Sequence, residues 1–258
     1  MKNLFYESAV LCELAYADPA DAETGTKAMG YENFRFIENK ETDTQAFVCS
    51  KEDFAMVAFR GTVFDNWDDW MTNLEFGFAE CPFGMVHAGF WQAMESVYQD
   101  ILFALVQHIV HHRRIIVTGH SQGAGDAVAF AIKYLAEGRD IERVIHFGGP
   151  QTVNGQAAKH LDNIFKGVFH RVVNNNDLVT RIPPRSAGYR HFGSLHYFTE
   201  DRRYTTKISG WGAFLDRIKG TVADIGEAWP DCVKDHFLDD YIDLCGFSMD
   251  EEEQNHGC

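Results

Sequence analysis

Residues 115–131 read IIVTGHSQGAGDAVAFA. A β-branched run ends at Gly119-His120-Ser121-Gln122-Gly123, and an alanine-rich stretch follows with no helix breaker after Gly125. Strand, sharp turn and helix are the setting of a nucleophile elbow, in which a serine between two glycines is carried at the end of a strand. A serine hydroxyl is a weak nucleophile unless it is given a base. The turn would lift the Ser121 oxygen above the sheet and aim the Gln122 N–H at the same place. Three fixed positions in five recur by chance, so the weight lies in the two flanking periodicities, which both hold here. A working site also needs a base, an orienting acid and a second oxyanion donor.

The chain has 258 residues without a Pro/Gly/Ser-rich linker or an internal repeat, and reads as a single domain, 1–258, able to bury its own core. An acidic tail from about residue 249 is expected to fray. The net charge of −15 argues against nucleic acid and against docking on an anionic membrane through basic residues. No run of about 18 apolar residues suggests a transmembrane segment. Glu7 and Glu13 interrupt the apolar start, so residues 1–18 read as an amphipathic helix rather than a signal peptide, with Leu4, Phe5, Ala9, Leu11, Cys12 and Tyr16 available for packing. A cytoplasmic location is the default expectation, with leaderless export left open. The six cysteines (Cys12, Cys49, Cys81, Cys232, Cys245, Cys258) form no C-x-x-C and read as mostly free thiols. The histidines show no metal spacing, and neither metal nor organic cofactor is expected; the adjacent His111 and His112 suit a solvated helix end.

Along the chain, apolar runs alternate with helical spacing. Ala46–Cys49 and Phe54–Phe59 read as neighbouring strands about a turn at 50–53. Gly89 to about His112 has helical spacing at Phe90, Met94, Val97, Ile101, Leu105 and Ile109, with a basic end suited to a helix C-terminus. The strand Ile115–Thr118, the elbow and a helix to about Leu135, stopped near Gly138, come next, then strands at Val144–Phe147 and Val168–Val173. This alternation implies a mostly parallel sheet covered by helices on both faces, and its order fits an α/β-hydrolase. Ligands in such sheets bind beyond the carboxyl ends of the strands, where Ser121 and Asp177 both fall.

In α/β-hydrolases the acid follows the serine and the histidine comes last. Of the downstream acids (Asp140, Asp162, Asp177, Asp201, Asp216, Asp224), Asp177 directly follows a strand; an ordinary Asx-turn accounts for that position equally well. Among His191, His196, His236 and His256, the last lies in the tail and His196 inside a strand-like run. His191 stands soon after Asp177, whereas His236 opens a late helix with an apolar face of Phe237, Leu238, Tyr241, Ile242 and Cys245. Position alone leaves both open. The second oxyanion donor is sought after an earlier strand, and Phe59-Arg60-Gly61-Thr62 offers a strand end and a hydroxyl. Removing one such donor costs about 2.7–4 kcal/mol of transition-state stabilisation. In Val63–Leu74, Trp67, Trp70, Met71 and Leu74 share one helical face. That suits either a mobile lid opened at a lipid surface or a fixed surface helix.

Together the motifs VAFRGT (57–62), VHAGFW (86–91), VTGHSQGAGDA (117–127), FGGPQTVN (147–154), RVVNNNDLVTRIPP (171–184), GYRHFG (188–193) and DHFLDDYI (235–242) resemble the class 3 lipase family, fungal-type triacylglycerol lipases and their bacterial relatives, from about Leu11 to Leu244. The resemblance implies Ser121 as nucleophile, Asp177 as orienting acid and His236 as base. It implies an oxyanion hole from Thr62 and the Gln122 N–H, and a lid or substrate-binding segment containing Phe64, Trp67, Trp70, Met71 and Leu74. It also prefers His236 to His191. The expected reaction is two-step hydrolysis of a lipid ester through an acyl-enzyme. A phospholipase A1, a galactolipase, a feruloyl or other carboxylesterase would use the same triad, and a catalytically silent binding scaffold is the reading from another class. Two positions depart from the family: Gln122, where Leu or Met is common, and Asp126, for which Arg60 and Lys133 are candidate partners.

Overall fold

The computed structural model describes residues 4–51, 53–62, 77–108, 114–206 and 235–255. Its elements in chain order are α1 (Leu4–Leu14), α2 (Pro19–Ala28), β1 (Glu32–Asn39), β2 (Thr44–Ser50), β3 (Phe54–Phe59), β4 (Phe78–Cys81), β5 (Gly84–His87), α3 (Ala88–His108) and β6 (Arg114–His120). Then follow α4 (Gln122–Ala136), β7 (Arg143–Phe147), β8 (Val153–Asn154), α5 (Gly155–Ile164), β9 (Phe169–Asn174), β10 (Tyr189–Arg190), β11 (Ser194–Phe198), β12 (Tyr204–Thr205) and α6 (Leu238–Asn255). The main sheet has the order β1-β2-β3-β6-β7-β9-β11-β12. Its centre, β3 through β11, is parallel; β1, β2 and β12 join antiparallel at the edges. The order β10-β8-β5-β4 makes a small second sheet, which the sequence reading did not anticipate.

The central strands are buried on both faces, as parallel strands under helices must be. Val57, Phe59, Ile115, Val117 and Val144 pack with α3 and α4 on one face. On the other, Ile145, Phe147 and Val172 meet Ala9 and Cys12 of α1 and Tyr241, Leu244 and Cys245 of α6, while Met56, Ala58 and Ile116 meet Leu11. Helix α1 is thus apolar on more than the one face expected of it: it closes two clusters at once. The face expected of α3 is buried at Phe90, Met94, Val97, Ile101 and Leu105. The helix is described to His108, and Arg114 belongs to β6. Residues 109–113 lie outside the described residues, as do all five side chains of the expected lid, Phe64, Trp67, Trp70, Met71 and Leu74. Helix α6 continues to Asn255, and residues 256–258 lie outside the described residues. Cys12, Cys49 and Cys245 are buried free thiols and Cys81 a partly buried one; Cys232 and Cys258 fall outside the described residues. Among the described residues no helix is long and apolar enough to cross a membrane, and no group of three or more His, Cys, Asp or Glu is placed to hold a metal ion.

Candidate active site

Strand β6 delivers Ser121 into α4 at φ 58°, ψ −126°. This left-handed backbone is strained for a non-glycine residue, by about 1–3 kcal/mol. The turn is held from both sides. The Ser121 N–H donates to the Phe147 carbonyl at 3.1 Å, anchoring the elbow on β7. The flanking glycines are required by contact: a Cβ on Gly119 would overlap the Gly123 carbonyl, and one on Gly123 would overlap the Phe59 carbonyl at the end of β3. The elbow therefore sits where β3, β6 and β7 end together. Ser121 is fully buried rather than exposed, and its Oγ has no hydrogen-bond partner among the described residues.

Asp177 follows β9 and is fully buried. Its carboxylate accepts from His236 Nδ1 at 2.9 Å on Oδ2 and 3.0 Å on Oδ1. The Tyr241 hydroxyl donates to Oδ2 at 2.6 Å, and the Val179 N–H to Oδ1 at 2.9 Å. The last bond is the Asx-turn considered from sequence, so one side chain both makes the turn and pairs with His236. His236 lies in a turn two residues ahead of α6 rather than inside the helix. That turn is tied to the end of β9: Asn174 Nδ2 donates to the Asp235 carbonyl at 3.1 Å, and Asn175 Nδ2 and the Asn176 N–H donate to the Asp235 carboxylate at 3.2 and 3.1 Å.

His120 joins these halves. Its Nε2 donates to the His236 carbonyl at 2.9 Å, and its ring stacks on the His236 ring with centroids 4.6 Å apart. Burial, with His236 alongside, holds His120 well below the usual histidine range, so the ring is neutral. A neutral ring that donates at Nε2 accepts at Nδ1, where the Tyr16 hydroxyl lies at 2.9 Å. The residue before Ser121 therefore fixes the backbone of His236 and is itself fixed from α1.

The other expected residues find these places. The Thr62 hydroxyl donates to the side-chain oxygen of Gln122, which brings the two proposed oxyanion residues together and gives the Gln122 side chain a partner. His191 Nε2 bonds the Thr180 carbonyl at 2.6 Å and is not brought to Asp177. His196 lies between His170 Nδ1 at 2.9 Å and the Tyr204 hydroxyl at 2.6 Å. Neither candidate partner of Asp126 serves it: Arg60 bonds Gln45 and Lys133 pairs with Glu95. Asp126 is instead buried with Oδ1 unpartnered, and burial holds its carboxyl well above the usual range, in the neutral form. Sequence reasoning missed His120 and Tyr16 as braces and counted Tyr241 as apolar. The one available signal was a hydroxyl on an otherwise apolar helix face, since a buried tyrosine O–H needs a partner.

Residues 56–187 match the family model described as Lipase (class 3). The chain is 29% identical over 164 residues to a lipase of Rhizopus niveus, an alignment covering 59% of this chain and 41% of the relative. It is 36% identical over 118 residues to a secreted mono- and diacylglycerol lipase of Malassezia restricta, covering 44% of this chain and 39% of the relative. The chain thus spans about two fifths of the length of these curated relatives. Lipase II from Rhizopus niveus superposes with a TM-score of 0.63 at 24% identity, covering 75% of this chain and 78% of that one. A lipase from Rhizopus microsporus var. chinensis does so at 0.61 and 24%, covering 76% and 73%. Both share the fold, a mostly parallel central sheet with flanking helices. The family model covers half of this chain, and the chain belongs to the class 3 lipase family.

Proposed function

We propose that this protein hydrolyses carboxylic esters of lipids, with Ser121, His236 and Asp177 as its triad. The observation that carries the reading is the buried Asp177–His236 pair at 2.9–3.0 Å, braced against the residue next to the elbow serine. Asp177 at Nδ1 leaves Nε2 to take the serine proton. Ser121 Oγ attacks the ester carbonyl as His236 accepts that proton, then returns it to the leaving alcohol. Water repeats the sequence in reverse and frees the acid. The N–H groups of Thr62 and Gln122 receive the oxyanion, and Asp177 supports the imidazolium. Hydrogen bonds of this kind are often long before substrate arrives and tighten in the complex, so the Ser121–His236 bond closes when an ester enters.

A fully buried Ser121 requires something to move before a substrate reaches it. Phe64, Trp67, Trp70, Met71 and Leu74 remain our proposed lid or substrate-binding residues on the sequence reading. Relatives described as lipases and as mono- and diacylglycerol lipases support acylglycerols as the substrate class. Covalent labelling by a fluorophosphonate, lost in Ser121→Ala together with hydrolysis of p-nitrophenyl esters, is the expected result. An Ser121→Ala protein that kept most of that hydrolysis would overturn the triad. Comparing triacylglycerol, diacylglycerol, phospholipid and feruloyl esters below and above their solubility limits assigns the substrate. A rate jump at the solubility limit is the expected signature of action at a lipid–water interface.

A further inference from the structure

A cavity away from the elbow carries the strongest unassigned chemistry. His146 of β7 and Arg171 of β9 are register partners on adjacent parallel strands, on the face toward α4. With Thr152, Arg190 and His191 they line a small, half-open pocket that has room for one particle of water size, walled on its apolar side by Val128 and Phe169. His146 is 2% exposed, yet neither ring nitrogen has a hydrogen-bond partner, and Arg171 Nε is buried without one. The other polar walls are committed: His191 Nε2 to the Thr180 carbonyl, the Thr152 hydroxyl to the Pro150 carbonyl, and Arg190 Nη1 to the Arg185 and Tyr189 carbonyls. No carboxylate among the described residues forms an ion pair with Arg171. The acid that acts on Arg171 is Asp162, whose Oδ1 accepts from the Gly193 N–H.

Buried polar groups are satisfied in native proteins, and here the Arg171 Nε–H and the His146 ring nitrogens are buried without a partner beside a guanidinium that is itself only partly exposed. Water would satisfy donors without answering charge. Here two guanidinium groups border the space, the free donors are N–H groups, and the room excludes a tetrahedral oxyanion. We propose that this cavity is a binding site for a single small monovalent anion of halide size, held by Arg171 Nε–H and a His146 N–H with Arg190 adding positive potential. Burial lowers Arg171 only to about 10, so it remains a cation at neutral pH, and His146 binds as a neutral donor. The anion ties β7 to β9, and through His191 and Thr180, whose hydroxyl donates to the Asp177 carbonyl at 2.8 Å, it steadies the loop that carries the acid. The site does not depend on the hydrolase reading, and its test uses no activity.

The whole protein, dialysed into gluconate, is titrated with chloride or bromide at constant ionic strength while thermal unfolding is followed. The expected result is a saturable rise in Tm, about 5 °C at a hundredfold excess over Kd, absent with sulfate. Crystals grown in bromide should give an anomalous peak between Arg171 and His146, a measurement that needs no variant. Arg171→Met should abolish the chloride response. A Tm unchanged when gluconate is replaced by chloride or bromide, or a bromide-free cavity holding only water, overturns the proposal, as does a full chloride response in Arg171→Met.

Discussion

Replacing Tyr241 with phenylalanine removes one oxygen atom from a fully buried position and tests the brace behind Asp177 most directly. The hydroxyl makes two bonds: it donates to Asp177 Oδ2 at 2.6 Å and accepts the Asn174 N–H at 3.0 Å. Losing a hydrogen bond to a charged acceptor costs about 1.5–3 kcal/mol, and stranding a buried backbone N–H costs about 1–3 kcal/mol. The ring itself still packs among Phe147, Leu244 and the rest of the α1–α6 cluster, so no cavity is added. The net loss is about 4 kcal/mol, which for a chain of this size lowers Tm by about 8–16 °C. Differential scanning calorimetry of Tyr241→Phe reads it, with fluorophosphonate labelling rate measuring the site in the same sample. Both should fall, since the carboxylate and the end of β9 lose the same anchor. A Tm within about 2 °C of the parent protein would refute the reasoning, because those two bonds would then carry no net stability.

Two further substitutions follow from the same region. Gln122→Leu removes the acceptor of the Thr62 hydroxyl; kcat on a soluble ester should fall up to about tenfold with KM little changed, in proportion to one hydrogen bond that positions an oxyanion donor, and an unchanged kcat would deny Gln122 that role. Asp126→Asn replaces a carboxyl that burial keeps protonated in the folded chain. A raised folded pKa means that the unfolded chain gives up its proton first, so wild-type stability declines as pH climbs from the ordinary carboxylate value of 3.8 toward the folded one. Urea denaturation should therefore find Asp126→Asn more stable than the parent near neutral pH, with the advantage shrinking as pH falls toward that value; a variant less stable at neutral pH would mean that the carboxylate is charged and paired.

The parallel sheet and the elbow were legible because their signals are local. β-Branched runs bounded by glycines can bury both faces only as central strands, and Gly119 and Gly123 mark the elbow within five residues. Asp177 was visible as an acid at a strand end. His236 was separated from His191 only by family resemblance, since nothing in the spacing tells which loop returns to the sheet edge. The bond partners of His120, Tyr16 and Tyr241 come from elements more than fifty residues away, and no periodicity encodes such a meeting. Asp126 shows the converse: a charged residue suggests a salt bridge, and Arg60 and Lys133 stood at plausible spacings, but burial neutralised the acid and both cations found other partners. The small sheet around β8 escaped because strands of two residues carry no alternation to read.

The link from Tyr16 through His120 to the His236 carbonyl has a consequence for how the protein is made. Ser121 precedes His236 by 115 residues in the chain, so synthesis delivers the elbow well before the proposed base. Until His236 emerges, His120 lacks the carbonyl it braces and Asp177 lacks the imidazole it orients. A stalled or prematurely released fragment would thus carry the elbow serine without His236, and under the proposed triad it would stay inert until α6 has docked and brought that histidine to Asp177.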